Sequence, residues 1–318
     1  MSLITPDTPV APDPRAGAGR RGLGANRPFQ PPAGAAVRSP LGPVALTVVW
    51  MLAGLSALAA WVLVYAFILS GLQEASAQHM LYATLRSELA QEIAPLGSHS
   101  APGTPVAILR VPQAGIDDVV VEGTTSGSLE RGPGLQADTP LPGRAGVSVI
   151  YGRQTMFGGP FRHLTVLRRG DLLDVTTGQG TFTYVVDDLR YPGDPYPPPL
   201  TAGQGRLTLV TVVGSGWHTS GVPDRILYVD ATLRGKTVPS PAGLPNAVPV
   251  SQEAMRGDTS VLLPLVLWLQ LLLVTVVAVA WTRSRWSRWQ TWLVGVPAIL
   301  AVLWIVTDTA VQLLPNLL

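Results

Sequence analysis

The chain has 318 residues, 47% of them hydrophobic and only 13% charged, with 33 glycines, 30 prolines and a mean hydropathy of +0.31. That balance excludes a wholly disordered protein and argues against an ordinary soluble enzyme, and a formal charge of +2 excludes the chain as a nucleic-acid binder. Cysteine is absent, so disulfides, thiolate metal sites and a cysteine nucleophile are ruled out.

Residues 1–43 hold nine prolines and six glycines without apolar periodicity and read as a disordered tail. Its arginines suit solvent or anionic lipid better than Pro28–Pro32 suits a docking partner. Residues 44–72 follow without one charge. This run exceeds the roughly 20 residues that cross a bilayer. Ala75-Ser76-Ala77 offers a small-x-small cleavage site. The apolar run is nevertheless far longer than a signal-peptide core and starts too late in the chain, which favours an uncleaved anchor.

A stalk helix is expected over 73–97, because Leu81, Leu85, Leu89 and Ile93 recur every four residues before Pro95 and Gly97. The stripe is too short for a coiled coil and suits packing on a neighbouring domain. From 105 to 234 the pattern becomes short β-runs: Val106–Val111, Val119–Glu122, Val147–Tyr151, Leu172–Thr176, Thr181–Asp187, Leu207–Val213 and Arg225–Leu233. Glycine and proline turns separate them, so a mostly β domain is expected, a sandwich or small closed barrel, with helical insertions at Ser126–Arg131 and Phe161–Leu167. A proline-rich linker, 235–260, leads to apolar runs at 261–282 and 289–314, the last carrying only Asp308. Asp308 near the end of that span suits a structural role better than a proton relay.

Arg15, Arg20, Arg21, Arg27 and Arg38 precede the first run, and Arg283, Arg285 and Arg288 lie between the second and third. By the positive-inside rule these flanks are cytoplasmic. The expected topology is a multi-pass cell-membrane protein with a cytoplasmic N-terminus and residues 73–260 outside. Tryptophans at 268, 281, 286, 289, 292 and 304 fit aromatic belts or a membrane partner equally.

The middle region carries a series of motifs in order, starting at Pro105-Val106-Ala107-Ile108-Leu109-Arg110-Val111-Pro112 and continuing through Leu129-Glu130-Arg131-Gly132-Pro133-Gly134 and Val149-Ile150-Tyr151-Gly152-Arg153-Gln154. The series closes with Leu207-Thr208-Leu209-Val210-Thr211-Val212 and Arg225-Ile226-Leu227-Tyr228-Val229. In this order the region resembles the sortase family, membrane-anchored cysteine transpeptidases of Gram-positive cell surfaces. The resemblance implies the family's eight-stranded β-barrel, and the arginine-rich, lysine-poor composition fits a GC-rich, actinobacterial-like genome.

Three residues carry the family's catalysis, and this sequence departs at two. The Gly-His pair reads Gly152-Arg153, the Thr-Leu-x-Thr-Cys strand ends in Val212, and the arginine opening the last strand is matched by Arg225. Valine has no nucleophile, and a guanidinium keeps its proton near neutral pH. The implied protein is a catalytically inactive member, a scaffold or binding module for envelope or membrane proteins and sorting-signal-like peptides. No cofactor and no metal site are expected, since His79, His99, His163 and His218 lack ligand spacing. The alternative is an active transpeptidase or hydrolase with another nucleophile, for which Ser215, His218 and Asp224 supply only residue types.

Two uses of the remaining site are open. Arg153 and Arg225, if adjacent, form an anion- or carboxylate-binding groove. Otherwise Arg153 turns to solvent and Arg225 pairs with Asp224, the favoured reading, since most surface arginines hold no ligand. The loop Tyr191-Pro192-Gly193-Asp194-Pro195-Tyr196-Pro197-Pro198-Pro199 is stiff, and either covers the groove, presents Tyr191 and Tyr196 to a partner, or is simply exposed.

Overall fold

The computed structural model describes residues 42–93, 100–214, 225–240, 252–253, 257, 259–285, 288–314 and 317. Most of the expected tail, the prolines at 241, 245 and 249, and Ser215, His218 and Asp224 lie outside the described residues.

An unbroken helix runs from Pro43 to Ala90: α1 (Pro43–Val64), one π-turn (Tyr65–Leu69) and α2 (Ser70–Ala90). The π-turn is closed by the Ser70 N–H donating to the Tyr65 carbonyl, five residues back. The Ser70 hydroxyl donates to the Ala66 carbonyl at 2.6 Å. Ala75-Ser76-Ala77 therefore lies inside regular helix. Two more long helices, α4 (Leu262–Arg285) and α5 (Arg288–Val311), follow the β domain. The described chain thus has three helices long and apolar enough to cross a membrane. Pro297 lies within α5, and a Cβ on Gly295 would press against the Val279 side chain, so glycine allows the close approach of α4 and α5.

Between α2 and α4 the chain forms a closed barrel. Its strands are β1 (Pro105–Val111), β2 (Ile116–Glu122), β3 (Gly134–Leu135), β4 (Gly146–Tyr151), β5 (Leu172–Thr177), β6 (Gly180–Arg190), β7 (Gly205–Val213) and β8 (Arg225–Leu233), preceded between β2 and β3 by the short helix α3 (Ser126–Leu129). The order around the barrel is β1-β2-β3-β4-β7-β8-β6-β5. All seven strands read from the sequence are present. The eighth, β3, is two residues long and joins β2 in parallel and β4 in antiparallel fashion. Of the two expected insertions, the first is α3 and the second contains a 3-10 turn at Leu164–Val166.

Alternating side chains fill the barrel, among them Val106, Leu109, Ile150, Leu173, Leu207 and Val229. Tyr184 is fully buried with them, and its hydroxyl accepts the Gly143 N–H at 2.6 Å, which satisfies a polar atom inside the core. Gly143 has φ +93°, and a Cβ there would overlap the Phe182 ring.

α2 lies against the outside of this barrel. Leu81 and Leu85 are buried on Val119 and Val121, with Leu89 and Ile108 at the edge. Ile93 is 66% exposed and leaves the stripe, because the helix ends at Ala90. Gln78 fixes the depth of docking: its Oε1 accepts from the Val119 N–H at 2.7 Å and its Nε2 donates to the Arg131 carbonyl at 2.7 Å.

Candidate functional site

β4 and β7 run parallel as neighbours, Tyr151 opposite Val210. Gly152 N–H donates to the Val210 carbonyl at 3.0 Å, and the Thr211 hydroxyl donates to the Gly152 carbonyl at 2.8 Å. This cross-link sets Arg153 and Val212 at the matching ends of two adjacent strands. Gly152 must be glycine, because a Cβ there would enter the Phe161 ring.

Arg153 is 1% exposed and does not turn to solvent. Its Nη2 donates to the Ser126 hydroxyl at 2.8 Å and lies 3.4 Å from the Ser126 carbonyl, and its guanidinium stacks 4.7 Å from the centre of Phe157. Burial lowers its pKa to about 10, offset first by Glu130, and it remains a cation at neutral pH. Nε has no partner among the described residues. Phe157 holds an unusual backbone, φ +49°, which costs about 1–3 kcal/mol for a bulky residue. Three contacts impose it: the Arg153 stack, packing on Tyr65 and Val311, and the Phe157 N–H donating to the Ser70 hydroxyl at 3.3 Å.

Val212 is 3% exposed and packed on Leu129 and Leu317, the latter from beyond the end of α5. Arg225 lies exposed at the start of β8, opposite Val213, and shares no partner with Arg153 among the described residues. The expectation that Arg153 is solvated fails because helices cover it; the expected Arg225–Asp224 pair lies outside the described residues. Tyr191 packs partly against the barrel core. Tyr196 is 86% exposed, with the Arg190 guanidinium 5.5 Å from its ring centre. The same guanidinium lies 4.2 Å from Tyr228 and bonds buried Asp230 at 2.5 Å, while Arg206 Nη2 donates to the Pro198 carbonyl at 2.8 Å. The proline loop is therefore pinned to the barrel wall.

Sequence reasoning missed the residues covering Arg153. Glu130, at the end of α3, is 5% exposed, and burial pushes its carboxyl up to about 7, with Arg153 opposing. Its Oε2 accepts from Gln312 Nε2 at 3.4 Å, and its Oε1 has no partner among the described residues. Asp308 Oδ1 accepts from the Tyr65 hydroxyl at 2.7 Å and from Gln73 Nε2 at 3.1 Å, while Trp61 Nε1 donates to the Thr307 hydroxyl at 3.0 Å. The available signal was the pairing of a lone charge, Asp308, with polar groups on another apolar helix, since polar residues in spans turn toward protein.

Residues 109–228 match the family model described as the Sortase domain. The structure is similar to a sortase D5 transpeptidase from Clostridium perfringens, at 22% identity and TM-score 0.43, covering 50% of this chain and 99% of that one. It is also similar to sortase E from Streptomyces avermitilis, at 29% identity and TM-score 0.36, covering 43% and 93%. A third is sortase C-1 from Actinomyces oris, at 22% identity and TM-score 0.36, covering 49% and 98%. No curated protein matches the chain. The match to the Sortase domain thus spans most of the closed eight-stranded barrel.

Proposed function

We propose that the protein is a catalytically inactive sortase-like membrane protein, with its barrel on the extracytoplasmic face as a scaffold for envelope or membrane proteins. The observation that carries this reading is the content of the strand ends: buried Val212 under Leu317, and buried Arg153 stacked on Phe157. Acyl transfer in this family needs a thiolate to attack the peptide carbonyl and an acid to protonate the leaving amine. The chain has no thiol. A guanidinium whose pKa stays near 10 holds its proton at neutral pH.

Membrane association is supported by three long apolar helices. The arginines on the flanks favour the cytoplasm for the N-terminus and for the α4–α5 connection. With its usual groove chemistry gone, the barrel presents shape and charge rather than turnover. The exposed Tyr196 on a pinned loop and the exposed Arg225 are the residues proposed to meet a partner or a sorting-signal-like peptide.

The test incubates the full chain in detergent micelles with a sorting-signal peptide and an amine acceptor, alongside affinity isolation from native membranes. Expected are no peptide cleavage and one reproducible membrane-protein partner whose recovery falls on Arg225→Glu or Tyr196→Ala. Turnover, or a covalent acyl adduct on any side chain, overturns the reading.

A further inference from the structure

Where the first helix leaves its apolar run and α5 approaches its end, a pocket of about 600 Å³ opens between the helices and the barrel. Its walls are of three kinds. Leu72, Met80 and Trp304 are apolar; Glu130 and Asp308 are carboxylates; Arg131 is an exposed guanidinium. Leu72 and Met80 are each 65% exposed.

Glu130 distinguishes this pocket from a chance collection of acids. The residue is buried, with one carboxyl oxygen held by Gln312 and the other without a donor among the described residues. A buried acceptor left without a donor is costly, and more so when it is charged. Asp308 already receives two donors, from Tyr65 and Gln73, whereas Glu130 feels the Arg153 charge without a hydrogen bond from it and keeps one oxygen unbonded among the described residues. The fitting donor is a cation carrying several N–H groups. Arg131 adds the opposite requirement, an anionic group held close to that cation. The exposed Leu72 and Met80, on a helix continuous with an apolar span, call for acyl chains alongside.

We propose that this pocket binds the headgroup of a primary-amine phospholipid, with the ammonium at Glu130, the phosphate at Arg131 and the chains along Leu72 and Met80. The inference rests on the membrane reading of the helices and is independent of whether the barrel is catalytic. An ammonium there supplies the missing donor and opposes the burial that raises the Glu130 carboxyl. A quaternary choline offers no N–H and leaves the oxygen unanswered.

The test reconstitutes the full chain in nanodiscs of equal phosphatidylethanolamine and phosphatidylcholine, then identifies the lipids that stay bound by native mass spectrometry. One charge-assisted hydrogen bond corresponds to an enrichment of about fivefold or more for the ethanolamine lipid. Dimethylation of the amine is expected to reduce retention, and trimethylation to abolish the preference. Glu130→Gln is expected to remove the preference in a chain that still folds, shown by an unchanged circular dichroism spectrum, and Arg131→Gln to weaken retention of both lipids. Equal retention of the two lipids by the unmodified chain overturns the proposal without reference to any variant. Soluble phosphoethanolamine added to the same discs separates the sources: displacement only at large excess supports the lipid, whereas displacement at parity assigns the site to a free metabolite and overturns it.

Discussion

Tyr65 and Asp308 lie 243 positions apart in the chain and meet through a 2.7 Å hydrogen bond, the phenol donating to Oδ1. The π-turn starts at Tyr65, and the same residue meets the Trp304 ring edge-on at 5.8 Å and packs on Phe157. A single aromatic side chain thus joins the first long helix, the last one and the barrel. Tyr65→Phe keeps the packing and removes the bond. It is expected to cost about 1–2 kcal/mol, lower the unfolding temperature of the full chain in micelles, and alter the Trp304 fluorescence.

A second expectation concerns pH. Burial raises the carboxyls of Asp118 to about 6 and of Glu122 and Glu130 to about 7. An unfolded carboxylate titrates near 4, so the folded chain holds these protons more tightly. Their contribution to stability is full below about pH 4 and is lost as pH rises through 6 to 7. Thermal unfolding of the full chain should therefore show greater stability at pH 5 than at pH 8. Glu130→Gln should flatten that slope, and an unchanged slope would exclude Glu130 as a contributor.

Gly152 permits the turn that delivers Arg153. Gly152→Ala places a methyl group in the Phe161 ring, which anchors the inner core. Overpacking of this kind costs about 1–3 kcal/mol. The expected result is a lower unfolding temperature with loss of the Arg153–Phe157 stack, read as a change in near-ultraviolet circular dichroism.

The absence of cysteine makes Val212→Cys a clean probe of the strand end. The side chain is 3% exposed beneath Leu129 and Leu317. Maleimide labelling of the folded variant should be at least about 100-fold slower than of the denatured one, since reaction requires local opening. Labelling at the denatured rate would mean that the strand end is open to solvent.

The long apolar helices and the strands were legible because their signals are local. Long charge-free runs announce helices such as α4, and short runs rich in β-branched residues between turns announce β4 and β7. β3 escaped because two residues, Gly134 and Leu135, carry no periodicity and sit among turn residues. The environment of Arg153 escaped for a different reason. Its sequence neighbours suggest a surface turn, yet its burial depends on Phe157, Ser126 and the helices beyond them. No window of neighbouring residues contains that information. Asp308 was readable as structural, and its partners Tyr65 and Gln73 were not, since helical pairing is set by packing. The valine at 212 and the missing thiol needed no structure at all.

The Trp304, Asp308 and Gln312 side chains that complete the junction all come from α5 and the residue after it, far downstream of the barrel. During synthesis the barrel is translated whole before any of them emerges, leaving Tyr65 without its acceptor and Glu130 without its amide. A chain stalled after β8 would hold these two polar groups without their partners. An incomplete copy would thus differ from a finished one by those missing contacts.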